Sequence, residues 1–313
     1  MNAPRHVLLT GASGAIGSAL ARAMRTAWPQ VQLALVDHDE APLRALATEL
    51  GDATSYLADL RDLAALPDLV DTIAQAGPLD GLVNCAGIMR VQQLASWSWD
   101  DAHALVTIDL LAPLRLQDLL ARGMVERGAG FVINISSMAG HVPLRGCAYY
   151  GAAKAGLAMA SEVARADLGH HGIRVVTVYP GPVHSPLEAG ARADYGGGGL
   201  FGRFAPTGTA RELAARIMHA LAHDEPRVIY PRLYGPRLDG TKPQPLDRAV
   251  VRPAACTLGT RHERRAADRV VDVAPAARAP GTRHERRGAD HLVDVAPDPT
   301  QKRRSPAMPA TFS

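Results

Sequence analysis

Tyr150-Gly151-Ala152-Ala153-Lys154 sets a phenol and an ammonium four positions apart. That spacing shares one face of a helix. A free phenol, with a pKa of about 10, is a poor base near neutrality. A positive charge beside it, such as that of Lys154, favours the phenolate. The pair therefore suits proton transfer to or from an oxygen atom. Ser136-Ser137 closes a strand shortly before it. A hydroxyl there can donate to the same oxygen, and one of two adjacent serines must point away.

A second group of residues suits a dinucleotide. Thr10-Gly11-Ala12-Ser13-Gly14-Ala15-Ile16-Gly17 follows an apolar run and opens a helix-like one. Gly11 allows a tight turn, Gly14 a close approach to pyrophosphate, and Gly17 tight helix–strand packing. The helix beginning at Ala15 offers unpaired N–H groups to the phosphates. Asp37 ends the next strand, 20 residues after Gly17. Its carboxylate can accept both adenosine-ribose hydroxyls and would repel a 2′-phosphate. Ser13 holds a place that a basic residue might take, so NAD(H) is expected over NADP(H). Asp59-Leu60 could reach the adenine edge. In Asn84-Cys85-Ala86-Gly87, Ala86 and Gly87 leave room for a cofactor. Asn84 can contact the cofactor or serve neighbouring backbone, the latter being the usual fate of a buried amide. Cys85 reads as a small core residue.

These residues need a frame that gathers them. Short apolar runs alternate with helical stretches from Val7 to Tyr230. Strands are expected at Val7–Thr10, Val31–Val36, Ser55–Ala58, Gly81–Asn84, Phe131–Ser136, Ile173–Tyr179 and Arg227–Tyr230. Helices are expected at Ala15–Thr26, Ala41–Leu50, Leu63–Ala76, Asp101–Arg127, Tyr149–Leu168 and Glu212–Ala222. Strands apolar on both faces imply a parallel sheet covered on both sides. The fold class is thus α/β, a doubly wound (Rossmann-type) parallel sheet of about seven strands. Ligands in such sheets bind at the carboxyl ends of the strands, where the winding reverses. The motifs above fall at those ends.

Composition narrows the function. The chain has 313 residues, 47% hydrophobic and 21% charged, which suits a large globular core. Residues 1–236 hold 19 Lys/Arg against 22 Asp/Glu, and residues 237–313 hold 15 against 9. The basic balance belongs to the tail, and no basic stripe marks the body for nucleic acid. Cys85, Cys147 and Cys256 lie far apart, without metal spacing, so no metal and a reducing cytoplasm are expected. No apolar run approaches a membrane span, and no secretory segment is expected before the first strand. Two stretches depart from the pattern. Residues 186–208, with Gly196-Gly197-Gly198-Gly199, read as a mobile substrate lid. Beyond the catalytic domain (1–238), residues 239–313 form a Pro/Arg/Ala-rich tail in which Gly259–Pro275 and Gly281–Pro297 match at 14 of 17 positions, offset by 22. Disorder is the expectation for so polar a segment, and solvation for its His262, His284 and His291.

Taken together, TGASGAIG, Asp37, Asp59-Leu60, NCAG, ISSMAG, YGAAK and PGPVHS, in this order over about residues 5–236, resemble the short-chain dehydrogenase/reductase family. The resemblance implies an NAD(H)-dependent oxidoreductase that interconverts a secondary alcohol and a ketone. It implies Tyr150 as general acid/base and Lys154 as the residue that lowers its pKa and binds the nicotinamide ribose. Ser137, rather than Ser136, would orient the reacting oxygen. Pro180-Gly181 and Val183 would border the nicotinamide, with Ser185 in place of a usual threonine. A homodimer or homotetramer built through the 101–127 and 149–168 helices is implied too. Met138, His141, Val142, Pro143, Leu144 and Cys147 are expected to line an apolar substrate pocket. One departure stands out: Asp109 occupies the position of the family's active-site asparagine. An ionised carboxylate cannot donate a hydrogen bond, and it opposes a nearby phenolate. Asp109 is therefore expected to re-tune turnover. It also motivates the alternative, an NAD-binding regulator with little turnover, against which the intact Ser137, Tyr150 and Lys154 argue.

Overall fold

Odd and even residues of the first strand serve opposite cores. Val7 and Leu9 pack with Leu20 and Met24 on one side of the sheet and with Leu213 and Ile217 beside them. Leu8 joins Val70, Ile73, Leu116 and Leu120 on the other side. Side chains alternate between the two faces of a strand, so a strand buried on both must be apolar throughout. A computed structural model describes residues 3–194 and 207–231. Its seven strands are β1 (His6–Thr10), β2 (Gln32–Asp37), β3 (Ala53–Leu57), β4 (Gly81–Asn84), β5 (Gly130–Ile135), β6 (Ile173–Pro180) and β7 (Arg227–Tyr230). They form one sheet in the order β3-β2-β1-β4-β5-β6-β7. Every pairing is parallel.

The helices are α1 (Ala15–Ala27), α2 (Glu40–Leu50), α3 (Leu66–Ala74), α4 (Trp99–Val106), α5 (Ala112–Arg127), α6 (Ala148–Gly169), α7 (Pro186–Asp194) and α8 (Ala210–Ala222). The winding reverses between β1 and β4. The crevice outside their carboxyl ends is where a ligand belongs in such a sheet. The glycine turn after β1 and the Cys85-Ala86-Gly87 segment after β4 meet there. Thr10 ties them together: its hydroxyl accepts from the Cys85 and Ala86 N–H groups at 3.2 and 3.3 Å.

Two expectations change. The single helix over 101–127 is interrupted by a π-helical turn, Thr107–Leu111, between α4 and α5. Pro113 explains it. Proline has no N–H, so the carbonyl four residues earlier, that of Asp109, loses its α-helical donor. The Ala112 N–H instead donates to the Thr107 carbonyl, one residue further back. Second, the stretch read as a lid begins with α7 rather than a loop. Residues 195–206, which hold the glycine run, and residues 232–313, which hold the tail, its repeats, Cys256 and the three tail histidines, lie outside the described residues. Among the described residues, no helix is long and apolar enough to cross a membrane.

Candidate active site

Helix α6 carries Tyr150 and Lys154 on its buried side, 7% and 4% exposed. The Lys154 ammonium lies 5.8 Å from the centre of the Tyr150 ring and donates to the Ile135 carbonyl at 3.2 Å. Of the two serines, Ser136 donates to the Lys154 carbonyl at 2.7 Å and is buried. Ser137 instead hydrogen-bonds the Tyr150 side chain, and its hydroxyl accepts from the Ala139 N–H at 3.1 Å. The alternation of side chains at a strand end separates the pair. Burial raises the Tyr150 phenol above its ordinary value, and the nearby Asp109 carboxylate adds to the rise while Ser137 opposes it.

The glycine turn lies beside this group. Gly11 has φ +65°, and a Cβ there would stand 2.6 Å from the Ala86 backbone. A Cβ on Gly17 would collide with the Gly11 carbonyl oxygen. Gly14 caps α1 without any side-chain acceptor, so the first-turn N–H groups stay available to an anion. Gly87 lies against Lys154 and Asp109: a Cβ there would stand 3.1 Å from Lys154 Nζ and 3.0 Å from Asp109 Oδ1. The turn, the segment after β4 and the start of α1 are thus packed with no room for a methyl, and the uncapped first-turn N–H groups suit an anion such as a pyrophosphate.

Asp37 is buried at the end of β2. Its Oδ2 accepts from the Ser13 N–H at 2.9 Å and the Ser13 hydroxyl at 2.7 Å. Its Oδ1 accepts from the His38 N–H at 2.7 Å and lies 2.9 Å from His38 Nδ1. Burial pushes this carboxyl up, but the hydrogen bonds outweigh it and hold the group below the usual carboxylate range. Sequence reasoning missed this arrangement, although Ser13 and His38 flank the two motifs in plain view.

Other expected contacts are placed differently. Asn84 donates to Asn134 at 2.8 Å and to the Pro113 carbonyl at 3.3 Å, and its Oδ1 is buried without a hydrogen-bond partner. Asn134 continues to Gln117 and Ser161, and Thr177 donates to Ser161 at 2.8 Å. This buried polar chain across β4, β5 and β6 has no signature in sequence spacing. Asp59 is exposed and paired with Arg61 at 2.5 Å, and Leu60 is buried in the core on that side. Ile16 packs partly buried against the other core. Pro180 and Val183 are buried, and Gly181 donates to the Tyr230 carbonyl. The Ser185 hydroxyl accepts from the Glu188 N–H at 3.1 Å and so caps α7. Met138 is buried and packs against Ala158, Tyr179 and Val142. Tyr149 packs edge-on to Trp97. Burial pushes the Cys85 thiol up to about 12, which leaves it protonated and unreactive.

Asp109 lies in the π-helical turn and is fully buried. Its Oδ1 accepts from the Ile88 N–H at 2.8 Å. Its Oδ2 has no hydrogen-bond partner and stands 3.9 Å from Lys154 Nζ. Burial pushes this carboxyl up to about 6, against the pull of Lys154 and the Ile88 N–H.

A family model described as short chain dehydrogenase matches residues 5–196. The chain belongs to the short-chain dehydrogenase family. The ketoacyl reductase HetN of Nostoc sp. is 35% identical over 184 residues, 57% of this chain. The match spans 63% of HetN's own length. The D-threitol dehydrogenase of Mycolicibacterium smegmatis is 32% identical over 185 residues, covering 58% of this chain and 70% of that one. Among solved structures, a short-chain dehydrogenase from Sphingobium yanoikuyae in complex with NADPH superposes with a TM-score of 0.62 at 28% identity, covering 78% of this chain and 99% of that one. Short-chain dehydrogenases are oxidoreductases, and the relatives matched here carry the names of dehydrogenases and reductases.

Proposed function

We propose that this short-chain dehydrogenase interconverts a secondary alcohol and a ketone with NAD(H), using Tyr150 as the general acid/base. The observation that carries this reading is the cluster of buried Tyr150 and Lys154 with half-buried Ser137, set beside the Cys85-Ala86-Gly87 segment that packs on the glycine turn. A bound nicotinamide supplies hydride to a carbonyl carbon, or accepts it from an alcohol carbon. In reduction the Tyr150 O–H gives its proton to the carbonyl oxygen; in oxidation the phenolate takes it back. The Ser137 hydroxyl donates to the same oxygen and fixes its direction. Lys154 holds the nicotinamide ribose and presents its positive charge to the phenol. Gly11, Gly14 and Gly17, with the start of α1, hold the pyrophosphate.

Asp37 supports NAD over NADP. It carries its charge firmly, and a 2′-phosphate brought to the same place would be repelled. Asp37 would receive ribose hydroxyls on its two oxygens, which the Ser13 and His38 backbone N–H groups hold in place. The apolar exposed side chains Met159 and Val163 on α6, with Leu111 before α5, support a homodimer or homotetramer built on these helices. A panel of secondary alcohols with NAD, followed by nicotinamide absorbance, tests the function. Turnover of one or more is expected. Silence across the panel with NAD bound would leave a dinucleotide-binding regulator instead.

A further inference from the structure

Among the described residues, Asp109 is the one acidic side chain that meets the Tyr150–Lys154 cluster in the interior, and half of it is unused. Oδ1 holds the Ile88 N–H, while Oδ2 is buried without a hydrogen-bond partner, 3.9 Å from the Lys154 ammonium. The groups facing it are few. Helix α6 presents Lys154 and Tyr150. The segment after β4 presents the Gly87-Ile88 backbone. On α4, Asp101 is paired with Arg90 at 2.8 Å, and His103 is exposed. Lys154 is thus flanked by a phenol and a carboxylate, and both draw on one positive charge. In a buried site such charges are poorly screened.

Resting on the function proposed above, we propose that Asp109 is a positioning residue that acts through Lys154 to keep the Tyr150 phenol protonated far into the alkaline range, so that the enzyme continues to reduce carbonyls where a phenol free of this neighbour would have ionised. The ionised carboxylate offsets the ammonium that would stabilise phenolate, and it repels the phenolate directly. Burial acts in the same direction. Reduction needs the O–H form and oxidation needs the phenolate. The reductive limb therefore falls, and the oxidative limb reaches its plateau, at the same raised pH. The ratio of the two directions at any one pH stays fixed by the overall equilibrium; what Asp109 sets is the pH at which both limbs turn. Below about 6 Asp109 itself takes a proton, and its effect vanishes.

Asp109→Asn tests this, because its amide oxygen can still accept from Ile88 while the charge is gone. In both directions the kcat/KM limb is expected to move about one pH unit lower than in the wild type, with the two profiles converging in acid. Tyrosinate absorbance of the dinucleotide-free proteins, each with Tyr150→Phe subtracted, gives a second reading. The wild-type Tyr150 component should titrate above the ordinary phenol value of about 10, and that of Asp109→Asn about one unit sooner. Coincident limbs and coincident titrations would overturn the proposal. If Asp109→Asn does not fold, a wild-type Tyr150 component at or below the ordinary phenol value overturns it alone. Turnover that survives in Tyr150→Phe would instead sink the functional reading itself. A dead Tyr150→Phe with coincident limbs sinks only the role of Asp109.

Discussion

At the scale of residues, Asp37 shows how one carboxylate can be both buried and reliably charged. Four donors from Ser13 and His38 hold it below the usual carboxylate range despite its burial. On the proposed reading, removing it takes away both a ribose acceptor and the repulsion of a 2′-phosphate. Asp37→Ala should narrow the preference for NAD over NADP by about tenfold or more, a difference of roughly 1.4 kcal/mol. Ratios of kcat/KM for the two dinucleotides read this directly, and an unchanged ratio would refute the assignment. Asp109 has the opposite fate. Its carboxyl is raised, so its proton binds more tightly in the folded chain than in the unfolded one. Stability tied to that proton is complete below the unfolded value of about 3.9. It is lost as pH rises through about 6. Asp109→Asn should accordingly gain stability relative to wild type at pH above 6, on the order of 1–3 kcal/mol, and lose that advantage in acid. Thermal unfolding at two pH values checks the sign. The motif spacings pointed to Tyr150, Lys154 and Asp37. They did not show that Ser13 and His38 already occupy the Asp37 oxygens, because hydrogen-bond saturation depends on rotamers that spacing does not encode.

At the scale of elements, the site depends on turns whose geometry is sterically exact. The Gly11 carbonyl fills the space beside Gly17, and the Ala86 backbone fills that beside Gly11. A methyl at Gly17 therefore forces the α1 start away from β1. Gly17→Ala should lower the melting temperature by several degrees, within the roughly 1–3 kcal/mol expected of a backbone clash. It should also weaken NAD about tenfold or more. Gly14→Ala should be milder, since its nearest neighbour would be 3.3 Å away. Calorimetric unfolding and NAD titration separate the two, and equal effects would contradict this reading of the turn. The inner strands are legible because they are buried on both faces and read as largely apolar runs, whereas the edge strand β3 (ATSYL) is partly exposed. The π-helical turn at Thr107–Leu111 is not legible, although its cause, Pro113, stands in the sequence. Helical periodicity continues on either side of a one-residue insertion and hides it. Helix α7 escaped for a different reason: the following glycines coloured the whole segment as loop.

At the scale of the whole molecule, the doubly wound order explains why residues as distant as Gly11, Asn84 and Tyr150 share one edge. The reversal between β1 and β4 opens the crevice, and β5 and α6 bring the hydroxyls to it. The buried chain Asn84–Asn134–Ser161–Thr177 fixes these strands against α6, and only the assembled sheet reveals it. The face of α6 away from the sheet exposes Met159 and Val163, 67% and 50% accessible and one helical turn apart. If this face is the subunit contact, Met159→Glu with Val163→Glu places like charges across a two-fold interface. The pair should convert the assembly to monomers in light scattering, and an unchanged mass would place the contact elsewhere.

In the proposed reaction the Tyr150 phenol moves the substrate proton, while other residues hold the dinucleotide. The most direct measurement compares Tyr150→Phe with wild type in NAD-linked alcohol oxidation, alongside NAD affinity in the same preparations. Turnover should fall by at least about 100-fold, with NAD affinity nearly unchanged. Turnover close to wild type in the phenylalanine variant would contradict the account.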